Sequence, residues 1–388
     1  MLCPIHISFR LSLALSAVLG VFFCTPQAQA RMANPQQPSV LNAEETPDSP
    51  QFHSAMTRAQ AGDAHAQNAV GAMFASGRGT TKSPTEAVRW WTMAAQNGLT
   101  EAQFNLGLSY DQGMGVAQNA TIAAQWYEKA AAGGSVPAMY NLAGLYSIGS
   151  GVPMDHKKAT HYFESAAEKG HPKAAYNAAL AYMRELGVAK NDAKAAKLMQ
   201  KAAVAGHTRA QYALAQMYAQ GVGVPKDIAK SAHWLEKAAQ SGHTRAQYSY
   251  ALHCQQGQGT HKNASAAIRW YKEAAAKNHT GAMCNLALLL LEGKDAAKDT
   301  AEAERLLTRA SELGDPKAQY NLGMVLLNGQ DLPQNQENAY FWLSLAEQHG
   351  VPEATIARQQ AGKELTREQR QKLDAKVSAF KPKPSTID

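Results

Sequence analysis

Four histidines, His171, His207, His243 and His279, recur at a constant interval of 36 residues. Imidazole is the commonest side-chain metal ligand, so the first chemistry to weigh is a metal centre. Two ligands of one ion must lie within about 2.1 Å of it. A constant 36-residue interval instead assigns each ring to its own structural unit, about one helix-packing distance, ~10 Å, from the next. The ladder therefore reads as capping residues at the joints of a repeat, and neither a metal nor a cofactor is expected. Of the cysteines, only Cys254 and Cys284 lie beyond the first 30 residues, too few for a disulfide framework. Their positions differ by six residues on neighbouring parallel helices, about 9 Å of rise, whereas a disulfide holds Cα atoms within ~7 Å. Two buried free thiols are expected. Ser378-Ala379-Phe380-Lys381 is the closest approach to a Ser-x-x-Lys motif, and no Ser-Asp-Asn or Lys-Thr-Gly accompanies it. Gly77-Arg78-Gly79 and Gly221-Val222-Gly223 lack a third glycine and follow helices, so they do not cradle a phosphate. No nucleophile with a base and oxyanion donors can be assembled, and no catalytic residue is assigned.

The N-terminus has a different character. Arg10 leads into an apolar run, Leu11 to Phe23, followed by Ala28-Gln29-Ala30. This is the pattern of a secretory signal peptide over residues 1–30, with cleavage expected after Ala30 and a periplasmic or secreted product. No later run of 18 apolar residues exists, so no integral membrane segment is expected after cleavage. Residues 31–50 hold four prolines and few apolar residues and read as a disordered Pro-rich linker. The formal net charge of +7 is spread as single Lys and Arg residues, which argues against a nucleic-acid partner.

What positions the histidines is an internal repeat. With Ala66 as position 1, the same position falls on Ala102, Ala138, Ala174, Ala210, Ala246, Ala282, Ala318 and Ala354. Eight full units fill 66–353, a capping half-repeat precedes them at 51–65, capping helices follow at 354–380, and 381–388 form a tail. Position 33 is glycine throughout except Asn278, as a left-handed helix C-terminus requires. Position 18 is always Ser, Asn or Asp, the preferred N-caps. Each unit thus holds a helix A, positions 1–12, and a helix B, positions 19–32. The aromatics at position 25, among them Trp90, Trp126, Tyr162, Trp234, Trp270 and Trp342, are expected to fill the core. Glu185 replaces the first loop glycine of the fourth unit, and Asp295 and Asp331 the second in the last two, so these loops are expected to differ in shape.

The unit AQYALAQMYAQGVGVPKDIAKSAHWLEKAAQSGH, residues 210–243, resembles the Sel-one-like repeat family, relatives of tetratricopeptide repeats, and the likeness covers residues 55–353. The resemblance implies an all-α fold, a right-handed superhelical solenoid of antiparallel helix pairs. It also implies a non-enzymatic protein–protein scaffold or adaptor, here in the bacterial envelope. Two alternatives stand beside it: a β-lactamase-like or peptidoglycan-related envelope hydrolase, and a secreted host-interaction factor. Some relatives carry a disulfide within each repeat, and this chain lacks those cysteines.

At about 100° per residue, positions 1, 2, 5, 6, 9 and 12 of helix A face helix B and the neighbours. Positions 3, 7, 10 and 11 face the concave groove, the usual binding surface of such folds. Position 3 supplies Phe104, Tyr140, Tyr176, Tyr212, Tyr248 and Tyr320; position 11 adds Arg184, Gln220 and Gln256, and position 36 adds Arg209 and Arg245. Tyrosine and arginine are frequent interface anchors, so this lining is the candidate site for a protein or peptide partner. The tyrosines would serve equally to pack neighbouring helices A. Farther on, Leu288, Leu291, Met324 and Leu327 form an apolar patch that needs a cover. The C-terminal helix, whose start carries the capping box Thr366/Gln369, is the expected cover, and a partner protein the alternative.

Overall fold

The computed structural model of the chain describes residues 49–384. The expected signal peptide of 1–30, the Pro-rich linker up to residue 48 and residues 385–388 lie outside that range. The described residues form α-helices joined by short loops, with no strand among them. They divide into two compact units, one ending at Met154 and one starting at Asp155.

The first unit holds α1 (Pro50–Gln60), α2 (Ala64–Ser76), α3 (Pro84–Gln96), α4 (Thr100–Gln112), α5 (Ala120–Ala132) and α6 (Val136–Ile148). The second begins with α7 (His156–Glu168), α8 (Pro172–Arg184), α9 (Asp192–Val204), α10 (Thr208–Gln220), α11 (Ile228–Gln240) and α12 (Thr244–Gln256). It continues through α13 (Ala264–Ala276), α14 (Thr280–Glu292), α15 (Thr300–Glu312), α16 (Pro316–Asn328) and α17 (Gln336–Gln348), then α18 (Ala354–Gly362) and α19 (Arg367–Ala379). Within each unit, successive helices pack on one another, and α19 returns to lie on α17. This is an all-α solenoid of helix pairs repeating every 36 residues.

Local chemistry sets each boundary. Asn191 and Asp227 start α9 and α11 by accepting a hydrogen bond from the third N–H beyond them, each at 2.9 Å. Position 33 is left-handed in every unit, with φ from 65° at Asn278 to 93° at Gly62. Helices A start two residues earlier than expected, with the position-34 side chain as the cap in α10 and α12; α4 starts at the same place although Leu99 offers no side-chain cap. They stop at position 12 in a left-handed residue, where Glu185, at φ 57°, adopts the glycine geometry. The expectation that its loop would differ is therefore corrected. Glu185 and Asn278 are the only non-glycine residues with positive φ among those described, so the Asp295 and Asp331 loops do depart from the pattern.

Position 5 of helix A forms the core row, with Val70, Leu106, Leu142, Leu214 and Leu286 at most 2% exposed. Against position 6 lies position 26, not position 25: a Cβ on Gly107 would meet Tyr127 at 2.7 Å, and one on Gly323 would meet Leu343 at 2.6 Å. Tyr127, Tyr271, Leu307 and Leu343 are fully buried. Of the position-25 aromatics, Trp90 and Trp270 are buried but Trp126, Tyr162, Trp234 and Trp342 are only half-buried, since they sit one helical step toward solvent. Cys254 and Cys284 are buried and unbonded in the same core, which pushes both thiols up in pKa.

Neighbouring repeats meet at a glycine seam. The second loop glycine of one repeat rests on the first turn of the preceding helix B, so a Cβ on Gly223 would overlap the Asp192 carbonyl. One on Gly259 would overlap that of Ile228. At the C-terminal end, α19 carries the expected capping box of Thr366 and Gln369. It docks on α17 through Tyr340 Oη donating to Asp374 at 3.0 Å and Phe380 set edge-on against Phe341 and Trp342. Lys383 N then donates to the Glu312 carbonyl at 2.8 Å. The expected cover of the apolar patch is thereby corrected. Leu291 and Leu327 are buried in the core between neighbouring repeats, with Met324 packed beside it and Leu288 half-buried, whereas α19 seats on the last helix B.

Candidate interaction face on the A helices

The position-34 histidines build this face. His171, His207, His243 and His279 each cap a helix A, with Nδ1 accepting from the backbone N–H of Ala174, Ala210, Ala246 and Ala282 at 3.1–3.2 Å. An accepting Nδ1 fixes the neutral tautomer with its proton on Nε2. Asp63, Ser135 and Asp315 cap at the equivalent joints, which shows that the role is open to any short acceptor. Burial pushes the imidazoles of His207 and His279 down to about 4. At His207 the charges of Arg209 and Lys173 add to the effect.

Each capping ring is also a packing surface. Tyr176 stacks on His207 at 4.7 Å between centroids, Tyr212 on His243 at 4.6 Å and Tyr248 on His279 at 4.4 Å. The tyrosine row therefore packs one repeat on the next with one ring face, while all three residues stay only half-buried. Burial raises their hydroxyls above the usual phenol range, and at Tyr176 the charges of Arg209 and Arg184 pull the other way. Arg245 does the same for Tyr212.

The second unit thus brings together Tyr176, Tyr212 and Tyr248 with Arg209 and Arg245 at the N-terminal ends of α10 and α12. Arg184, Gln220 and Gln256 end α8, α10 and α12. Gln256 is exposed, and the Gln220 side-chain nitrogen is buried with no hydrogen-bond partner. Tyr140, on α6, is half-buried in the first unit and belongs to that unit's surface.

Two sets of residues escaped the sequence reading. Position-2 glutamines send Nε2 to the carbonyl eight residues upstream, Gln211 to Ala203 at 3.2 Å and Gln319 to Ser311 at 3.1 Å, tying helix A to the preceding helix B. The recurring Ala-Gln pair was the available signal. In the first unit, Asn141 donates to Tyr127 Oη at 3.1 Å and that hydroxyl donates to Asp111 at 3.3 Å, where burial raises the carboxyl. Tyr271 repeats the link between Asn285 and Gln255. No helix among the described residues is long and apolar enough to cross a membrane.

Comparison with known proteins agrees with this geometry. The Sel1 repeat model matches eight consecutive segments from 64–99 to 316–351. No curated protein sequence matches the chain. Among solved structures, a Sel1 repeat protein from Oxalobacter formigenes is similar at 26% identity and TM-score 0.59, over 87% of this chain and 99% of that one. The c5321 protein of uropathogenic Escherichia coli, described as a protective antigen with an SLR fold, is 25% identical over 87% of this chain and 99% of its own, at TM-score 0.38. With eight contiguous matches over 64–351 and a helix pair for each, the chain belongs to the Sel1 repeat family.

Proposed function

We propose that this protein is a non-enzymatic adaptor of the bacterial envelope that holds a partner protein along the A-helix face of its second unit. Sel1 repeat proteins are generally protein-interaction scaffolds and typically non-catalytic. The observation that carries the finer reading is the half-buried row of Tyr176, Tyr212 and Tyr248 flanked by Arg209 and Arg245. Aromatic and arginine side chains that keep part of their surface in water dominate protein interfaces, because each contributes large contact area together with a polar handle. Export rests on the N-terminal pattern of residues 1–30.

The test is a cross-linking pull-down from envelope extract, with the mature chain beside a Tyr176→Ala/Tyr212→Ala/Tyr248→Ala variant shown by circular dichroism to be folded. A partner held by the wild type and lost by the variant is the expected result. Equal recovery from both would move the site off this face.

A further inference from the structure

Residues 380–384 display how the B helices hold an extended segment. Phe380 stands edge-on to Phe341 and Trp342 of α17, at centroid distances of 6.1 and 6.0 Å. Pro382 lies over the left-handed Gly314 just after α15, where a Cβ would meet the proline at 2.9 Å. Lys383 donates its backbone N–H to the Glu312 carbonyl at 2.8 Å and sets its ammonium against the Glu312 carboxylate. The last carbonyls of a helix have no partner within it, so they are open to a segment crossing the helix end. Three repeats earlier, the positions of Glu312, Gly314, Phe341 and Trp342 are held by Val204, Gly206, His233 and Trp234, all in the second unit. The local geometry is kept. Gly206 has φ 84° against 86° at Gly314, and His233 meets Trp234 at 5.4 Å and 73° as Phe341 meets Trp342 at 4.9 Å and 69°. Among the described residues, however, nothing lies on this earlier copy. The Val204 carbonyl accepts no hydrogen bond, Gly206 has no neighbouring atom within 4 Å of a Cβ position, and Val204 is 70% exposed.

We infer that this place on α9 and α11 is a second docking site, independent of the A-helix face, and that it takes an extended partner segment reading aromatic-x-Pro-apolar-acidic. The aromatic ring stands against His233 and Trp234, the proline lies over Gly206, and the residue after it donates its N–H to the Val204 carbonyl. Proline holds the segment extended before binding, the device by which aromatic-lined grooves select proline-containing chains. The apolar residue follows from one exchange: where Lys383 meets the Glu312 carboxylate, this site offers the exposed side chain of Val204. The acid follows from the charges alongside. On α15, Glu302, Glu304 and Glu312 outnumber Arg305 and Arg309, and Pro384 shares a cleft with both arginines. On α9, Asp192 pairs with Lys190 and Lys194 with Glu164. Lys197 and Lys201, at the positions of those two arginines, are left exposed and without an ion pair among the described residues. Of the other acids nearby, Glu168 is followed by Lys169, and Glu236 hydrogen-bonds Tyr250. The tail of a second copy is the poorer occupant, since its Lys383 would meet Val204 beside two lysines.

The experiment is fluorescence anisotropy with the full mature chain and a labelled Ser-Ala-Phe-Gln-Pro-Val-Glu peptide. Beside it run a counterpart with Ala in place of Phe and the chain's own Ser-Ala-Phe-Lys-Pro-Lys-Pro, residues 378–384. The wild type is expected to hold the first peptide about tenfold tighter than either of the others. Val204→Glu, a change at an exposed position, reproduces the Glu312 arrangement at this site. It should weaken the first peptide about tenfold and strengthen the tail sequence. A gain of this kind cannot come from misfolding, nor from displacement of the chain's own tail on α17, which the variant leaves unaltered. Unchanged binding of both peptides by Val204→Glu, or binding of no peptide by the wild type, would overturn the site. A tail sequence held by the wild type as tightly as the first peptide would overturn the partner assignment in favour of a second copy. The Tyr176→Ala/Tyr212→Ala/Tyr248→Ala variant should bind the first peptide as the wild type does; loss there would place the peptide on the A-helix face instead.

Discussion

His207 caps α10 with one nitrogen, a task that requires the neutral form, and supports Tyr176 with its ring face. In the folded chain its pKa is about 4, against 6.5 for an unstructured imidazole, and His279 matches it. A folded value below the unfolded one means that unfolding takes up a proton. The stabilisation is whole above about pH 6.5 and is lost as pH falls toward about 4, at up to ~1.4 kcal/mol per pH unit for each ring. The wild-type melting temperature should therefore drop more steeply between about pH 7 and pH 4.5 than that of a His207→Asn/His279→Asn variant, whose caps do not titrate. Parallel curves from the two proteins would refute this. The capping role was legible from the 36-residue spacing. The stacking was not, because it joins residues 31 apart on different helices and leaves no local pattern.

Among the elements, two glycines with similar backbone angles should behave differently. Gly206 is left-handed at φ 84° with open space around the position of a Cβ, and Gly223 is left-handed at φ 69° against the Asp192 backbone. Gly206→Ala should cost only the conformational penalty, about 1–2 kcal/mol. Gly223→Ala adds a backbone clash between repeats and should cost more, about 3 kcal/mol or beyond, read as the shift in urea midpoint. Similar losses for the two variants would mean that the seam yields freely. Periodicity alone located every helix pair, because Gly, Asn and Asp are demanded by backbone geometry that packing cannot override. It misjudged the aromatics of position 25, since positions 25 and 26 lie only about 100° apart on the helix and neighbouring large residues share the boundary of the core.

For the whole molecule, α19 and the segment after it close the last repeat. Deletion of residues 366–388 would uncover Tyr340, Phe341 and Trp342, which α19 and Phe380 now cover. The shortened chain should melt lower and self-associate in size-exclusion chromatography, since an uncapped repeat presents its packing face to solvent. A monomer with unchanged melting temperature would show that the cap is dispensable. The destination of this segment was not legible: its capping box announced a helix, but a helix outside the repeat carries no register to say what it lies on. The glycine seam has one last consequence, for inheritance. Because each repeat from the second to the sixth brings both the glycine that seats on its predecessor and the helix turn that receives its successor, a duplication or loss of 36 residues within that span leaves every remaining seat filled. A change that is not a multiple of 36 residues empties one. Such a gene can lengthen or shorten its product in whole modules without first inventing a new contact.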